Sequence, residues 1–145
     1  MKLGFANPVS IGLVLFSLGV VLASGGCAKP QQMLNPAEKT PAALGEVTTS
    51  VDHNGNTELH LKVDHLPPPQ ALSPDARTFV VWIRPVGSDS YLNVGQLRVS
   101  EDRTGQLTAK TPYQQFDVQV TAEASGSAAQ PSKNLVLQGR AARKE

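Results

Sequence analysis

The chain has 145 residues, 40% of them hydrophobic, with 13 Lys+Arg against 12 Asp+Glu and a single cysteine. A near-neutral chain without a basic run excludes an electrostatic grip on nucleic acid, and one cysteine excludes a disulfide scaffold or a cysteine-rich zinc site. Only one apolar segment has any length, which excludes a multi-span membrane protein; the roughly one hundred residues that follow it predict a single domain with an ordinary core.

Residues 1–26 read as an address. Lys2 precedes an apolar stretch from Val9 to Ala23, and small residues Ala23, Ser24, Gly25 and Gly26 lead to Cys27. As a helix of about 1.5 Å per residue the stretch would span about 22 Å, short of the roughly 30 Å hydrocarbon core. Charge before and small residues after are the flanks of a secretory signal. Leu22-Ala23-Ser24-Gly25-Gly26-Cys27 resembles a bacterial lipoprotein lipobox, with Ser24 where the usual pattern has Leu. The resemblance implies that Cys27 is lipidated and becomes the new N-terminus. Two or more acyl chains hold a protein stably at a bilayer, at about 0.8 kcal/mol per buried CH₂. The alternatives at this position are a plain cleavable signal with a free thiol, or an uncleaved anchor. Ala28 follows where an Asp would favour the inner membrane, so the resemblance implies the outer membrane, facing the periplasm.

Residues 27–44 are expected to be the lipidated terminus and a flexible tether, because Pro30, Pro36 and Pro41 interrupt any regular element; Met33-Leu34 packing back on the domain is the other reading. From residue 45 to 140 the period becomes two, with turn residues every 10–15 positions, the all-β pattern. Val47, Thr49 and Val51 alternate with polar neighbours. Asp52-His53-Asn54-Gly55-Asn56 is a hairpin signal. Thr57 to His65 puts Leu59, Leu61 and Val63 on one face, and Pro67-Pro68-Pro69 ends the strand.

Thr78 to Arg84 is apolar on both faces and predicts a central strand, with Trp82 plugging the space between two packed sheets. Tyr91 to Ser100 changes phase at Gly95, as a β-bulge would. Leu107 and Ala109 mark a short strand, Phe116, Val118 and Val120 another, and Leu135 to Leu137 the last. Residues 141–145 are expected to fray. Seven strands predict an immunoglobulin-like antiparallel β-sandwich, with an open barrel as second choice.

Phe79-Val80-Val81-Trp82-Ile83, Asn93-Val94-Gly95, Phe116 to Glu123, Ser125-Gly126-Ser127 and Pro131-Ser132 together resemble the extracytoplasmic C-terminal domain of anti-sigma factors of the anti-sigma-K type. The resemblance spans Arg77 to Gly139. The zinc-containing helical domain and membrane span that precede the domain in that family have no counterpart in this sequence. The resemblance therefore implies an exported sandwich of sensory or interaction type, and sigma-factor binding does not carry over.

Chemistry is sparse. His53, His60 and His65 fall within 13 residues, but an odd separation puts His60 and His65 on opposite faces of a strand. His53 and His60 meeting across the hairpin would supply two ligands, where a structural zinc needs four, so no metal site is expected. No Gly-x-Ser-x-Gly elbow and no phosphate-cradling loop is present, and Glu101-Asp102 reads as a solvated turn. The expectation is a non-enzyme without cofactors. Its partners would be the membrane, through the lipid anchor, and an envelope protein. A small-ligand or glycan-binding lipoprotein, with Trp82, Tyr91 and Tyr113 as a stacking platform, is the alternative; a metal-handling protein using His53 and His60 comes third.

Overall fold

The computed structural model describes Gly4 and residues 31–143, and its regular structure is strand apart from one 3-10 turn at Pro69–Ala71. Apart from Gly4, the expected leader over 1–26 lies outside the described residues, as do residues 27–30, Cys27 among them, and the last two residues. In chain order the strands are β1 (Gln31–Pro36), β2 (Leu44–Val51), β3 (Thr57–Asp64), β4 (Thr78–Pro85), β5 (Leu92–Gln96), β6 (Arg98–Val99), β7 (Gly105–Thr111), β8 (Gln115–Glu123) and β9 (Leu135–Ala142). Every pairing is antiparallel, in the order β5-β4-β8-β9-β1-β2-β3-β7-β6. The domain is all-β.

The β2–β3 hairpin forms where Asn-Gly predicted it. Gly55 takes φ +82°, and Asp52 Oδ1 accepts the backbone N–H groups of Asn54 and Asn56, each at 2.9 Å. Register then sorts the faces. Leu59, Leu61 and Val63 are buried, while Glu46–Lys62–Gln106, Thr48–His60–Thr108 and Ser50–Glu58–Lys110 line up in rows across β2, β3 and β7 on the wet side. Opposite charges and hydrogen-bonding pairs in such rows favour this register over a one-residue slip. The inner faces of β2 and β3 meet Phe79, Val81 and Ile83 of β4, and Phe116, Val118 and Val120 of β8, in one core.

Two segments serve both layers. Gln31–Leu34 of β1 pair with β2, then Asn35–Pro36 pair with β9. Leu92 to Val99 does the same on the far side: β5 pairs with β4, the Leu97 N–H donates to Phe79 O at 2.9 Å, and β6 pairs with β7. The two ends of the ladder are thus halves of one bent segment, and the sheet comes close to a flattened barrel. The bend uses the bulge expected at Gly95: Val81 pairs with Gly95 and Trp82 with Asn93, leaving Val94 over, and Gly95 sits at φ +137°.

The strand count is nine rather than seven, for two reasons. The segment Tyr91–Ser100 is divided between the layers, and residues 31–44 are part of the domain instead of a tether. Leu34 is 4% exposed, and the Thr40 hydroxyl donates to Val136 O at 2.7 Å. Pro36 is the last residue of its strand and Pro41 lies in the following turn, so neither breaks a ladder.

Where β1 leaves β9, the side chain of Gln32 closes the seam. Its Nε2 donates to Ala142 O and its Oε1 accepts the Ala142 N–H, both at 2.8 Å. The amide reproduces the donor–acceptor pair of a strand peptide, and only this orientation of it satisfies both groups. Residues 141–143 do not fray: Ala141 is buried, the Arg143 N–H donates to Gln114 O, and Arg143 Nη1 reaches Gly55 O at 2.7 Å.

Candidate functional site

The expected lipidation site, Cys27, lies outside the described residues. The three histidines do not converge. His53 is in the hairpin turn, and His65 follows β3 at φ +59°. His60 faces solvent from mid-strand, its Nδ1 3.0 Å from the Thr108 hydroxyl and its Nε2 3.8 Å from Glu58. His53 and His60 therefore do not meet across the hairpin. Among the described residues no group of three or more His, Cys, Asp or Glu side chains is placed to hold a metal ion. Glu101 and Asp102 sit in a turn at the end of the β6–β7 connection. There the Ser100 hydroxyl and the Thr104 N–H donate to Asp102, lowering its pKa, with the hydroxyl the larger cause.

Trp82 does not plug the space between layers. Alternation along β4 turns Phe79, Val81 and Ile83 into the core, and turns Val80 and Trp82 to the opposite face. Trp82 is nonetheless 0% exposed, because the β8–β9 connection, residues 124–134, folds over that face. Asn93 Nδ2 donates to Gly126 O and Ala128 O, each at 3.0 Å, and Ser132 N–H donates to Glu123 Oε1 at 2.7 Å. Beneath, Trp82 Nε1 donates to the Thr121 hydroxyl at 2.8 Å, and that hydroxyl donates to Glu123. Trp82, Thr121, Glu123 and Ser132 thus form one hydrogen-bonded chain under the connection, and Asn93 pins the connection from the surface. A buried ring cannot stack on a ligand from solution, so the alternative of a Trp82–Tyr91–Tyr113 platform is not met, and Trp82 is a buried side chain. Tyr91 instead carries the Arg84 guanidinium 5.1 Å from its ring centre.

Two surface features were not anticipated. On the outer side of β4, β8 and β9, Arg84, Asp117 and Arg140 stand in one cross-strand row. Arg84 Nη2 donates to Asp117 Oδ2 at 2.7 Å, and Arg140 Nε donates to Oδ1 at 2.9 Å. Arg84 first, then Arg140, holds the Asp117 carboxyl below its ordinary range. The row carries one surplus positive charge and floors a shallow groove of about 430 Å³ with Tyr91, Asn35 and Gln138. Period two marks each of the three as an outward position, but only the register of β4, β8 and β9 brings them into one row.

The second feature is an apolar cleft of about 330 Å³ at the end of the domain away from the 52–56 hairpin. Pro67-Pro68-Pro69 cannot enter a ladder, leave β3, and form one wall. Leu66, Phe79, Leu97 and Val99 line the cleft together with the polar Thr78 and Gln96, and Arg77 and Arg103 complete the lining. Arg77 Nη1 is fixed by Pro74 O at 2.8 Å and Ala76 O at 3.0 Å. No catalytic pair accompanies either feature in the described residues. The shapes suit binding: an anionic contact at the arginine row, and a small apolar group with a negative end at the cleft.

Among the described residues no helix is long and apolar enough to cross a membrane. The chain matches no protein-family model, no curated protein and no solved structure.

Proposed function

We propose that this chain is an exported bacterial lipoprotein, acylated at Cys27, whose all-β domain is a non-enzymatic interaction or envelope-structural module. The observation that carries the reading is the order of features along the chain: a basic residue, an apolar stretch too short to span, small residues, the lone cysteine, and β1 four residues later. Outer-membrane attachment facing the periplasm is the placement that Ala28 favours. A partner would meet side chains, loops and the open edge of β7, where Leu107–Thr111 run beyond the two residues that β6 covers.

The test is the mass of the mature polypeptide with fractionation of cells expressing it. Acyl mass on Cys27, and release of the domain into the soluble fraction by Cys27→Ser, are expected. An intact Met1 with a bare thiol would sink the reading. Crosslinking in intact cells tests the interaction half: recovery of one stoichiometric envelope protein supports it, and recovery of abundant neighbours alone counts against it.

The cleft favours a second reading, a small-ligand carrier on the same anchor. Anilinonaphthalene sulfonate, apolar with one negative charge, is the probe. Enhanced fluorescence that Leu97→Asp abolishes while the fold persists supports it, and no enhancement on the native domain argues against it.

A further inference from the structure

We infer that the end of the domain formed by residues 52–56, 86–90 and 112–114 rests on the lipid surface to which the chain is attached. This deepens the lipoprotein reading and rests on Cys27 as the attachment point.

The first argument is reach. Gln31 pairs with Thr48, and Val51 lies three residues further along β2. At about 3.4 Å per residue, Gln31 therefore stands about 10 Å short of the level of Val51. β1 is antiparallel to β2, so Gln31 is the residue of β1 nearest the hairpin end. Four residues back to Cys27 cover about 14 Å at most, fully extended. Cys27 therefore reaches at most about 4 Å past the level of Val51, about the level of the 52–56 turn itself. Acyl chains on it keep this end close to the headgroups.

The second argument is composition. Val51 and Leu92 pair with Thr57 and Ile83, on the core side of their strands. At this end the core runs out and leaves them 47% and 42% exposed. Val86 is 57% and Tyr113 39% exposed beside them. The Val86 N–H donates to Gln115 O, and Arg143 ties Gln114 to Gly55, so these residues share one rigid end. Lys110 and Arg143 stand among them, with Asp52 and Asp89 as the acidic neighbours. Lys110 pairs with Asp52 at 3.4 Å and Arg143 is held by Gly55 O, so the cluster carries no net charge, and its exposed Val51, Val86, Leu92 and Tyr113 suit the boundary between headgroups and acyl chains. The other exposed large apolar residues are scattered: Met33 and Leu44 point outward from β1 and β2, and Val99 lines the distant cleft.

The experiment uses the full mature protein, purified from membranes, ¹⁵N-labelled and reconstituted in phosphatidylcholine nanodiscs containing a gadolinium-chelating lipid. Amides of 52–56, 86–90 and 113–114 are expected to broaden several-fold more than those of 70–72 and 101–104 at the opposite end. Val86→Asp with Tyr113→Asp, both surface changes, should reduce the broadening at 86–90 and 113–114 while the chain stays attached. Equal or reversed broadening in a wild-type chain whose mass shows acylation overturns this inference alone. A bare Cys27 overturns it together with the attachment reading.

Discussion

Replacing Gln32 by Ala isolates the seam between β9 and β1. The substitution removes two hydrogen bonds to Ala142 and leaves its N–H without a partner, whereas its carbonyl keeps the Thr49 hydroxyl at 3.1 Å. At about 1 kcal/mol net for each bond, the expected loss is about 2 kcal/mol. For a domain of this size that lowers the melting temperature by about 8 °C, at roughly 4 °C per kcal/mol. Gln31, one residue earlier and exposed, makes no such bond, so Gln31→Ala should leave the midpoint unchanged. Urea unfolding followed by far-UV circular dichroism reads both variants. Equal midpoints for Gln32→Ala and wild type would show that the backbone ladder alone closes the seam and that the amide pairing contributes nothing.

Three further outcomes are expected. Trp82, the only tryptophan, should emit in the blue and resist quenching by iodide; a red, readily quenched band would contradict the cover over β4. Glu123→Ala removes the acceptor for the Thr121 hydroxyl and the Ser132 N–H, costs about 2 kcal/mol, and should speed amide exchange at 125–132 without affecting 52–56. Asp52, held down to about 2 from 3.8 chiefly by the Asn56 N–H, stabilises the fold while ionised. Its folded value lies below its unfolded one, so that contribution is complete above about pH 4 and fades as pH falls toward 2. Asp52→Asn should flatten the acid limb of urea stability over that window, and an unchanged slope would refute the assignment.

Much of the fold was legible because it is local. Leu59-Leu61-Val63 and Phe116-Val118-Val120 announce their inner face by alternation, and the change of phase at Gly95 marks the bulge on which the bent segment turns. β1 was hidden because Leu34 is its only buried side chain, and its pairing depends on strands far away in the chain. Trp82 shows the limit of periodicity in another way. A segment apolar on both faces says that both are covered, but not by what, and the cover here is a polar connection of Ser, Gly and Ala. The arginine row escaped notice because its members come from three strands whose register no single segment determines. The cleft depends on Pro67–Pro69 meeting Leu97 across the fold, a long-range arrangement with no local signature.

The place of β1 bears on the timing of folding. Its ladder joins residues 31–36 to a strand that ends at Ala142, nearly the whole domain later. On the lipoprotein reading proposed above, a chain threaded through a translocation channel from its N-terminus cannot pair β1 with β9 until Leu137 and Gln138 have emerged. Contacts so distant in sequence form slowly, so this seam is among the last parts of the ladder to close.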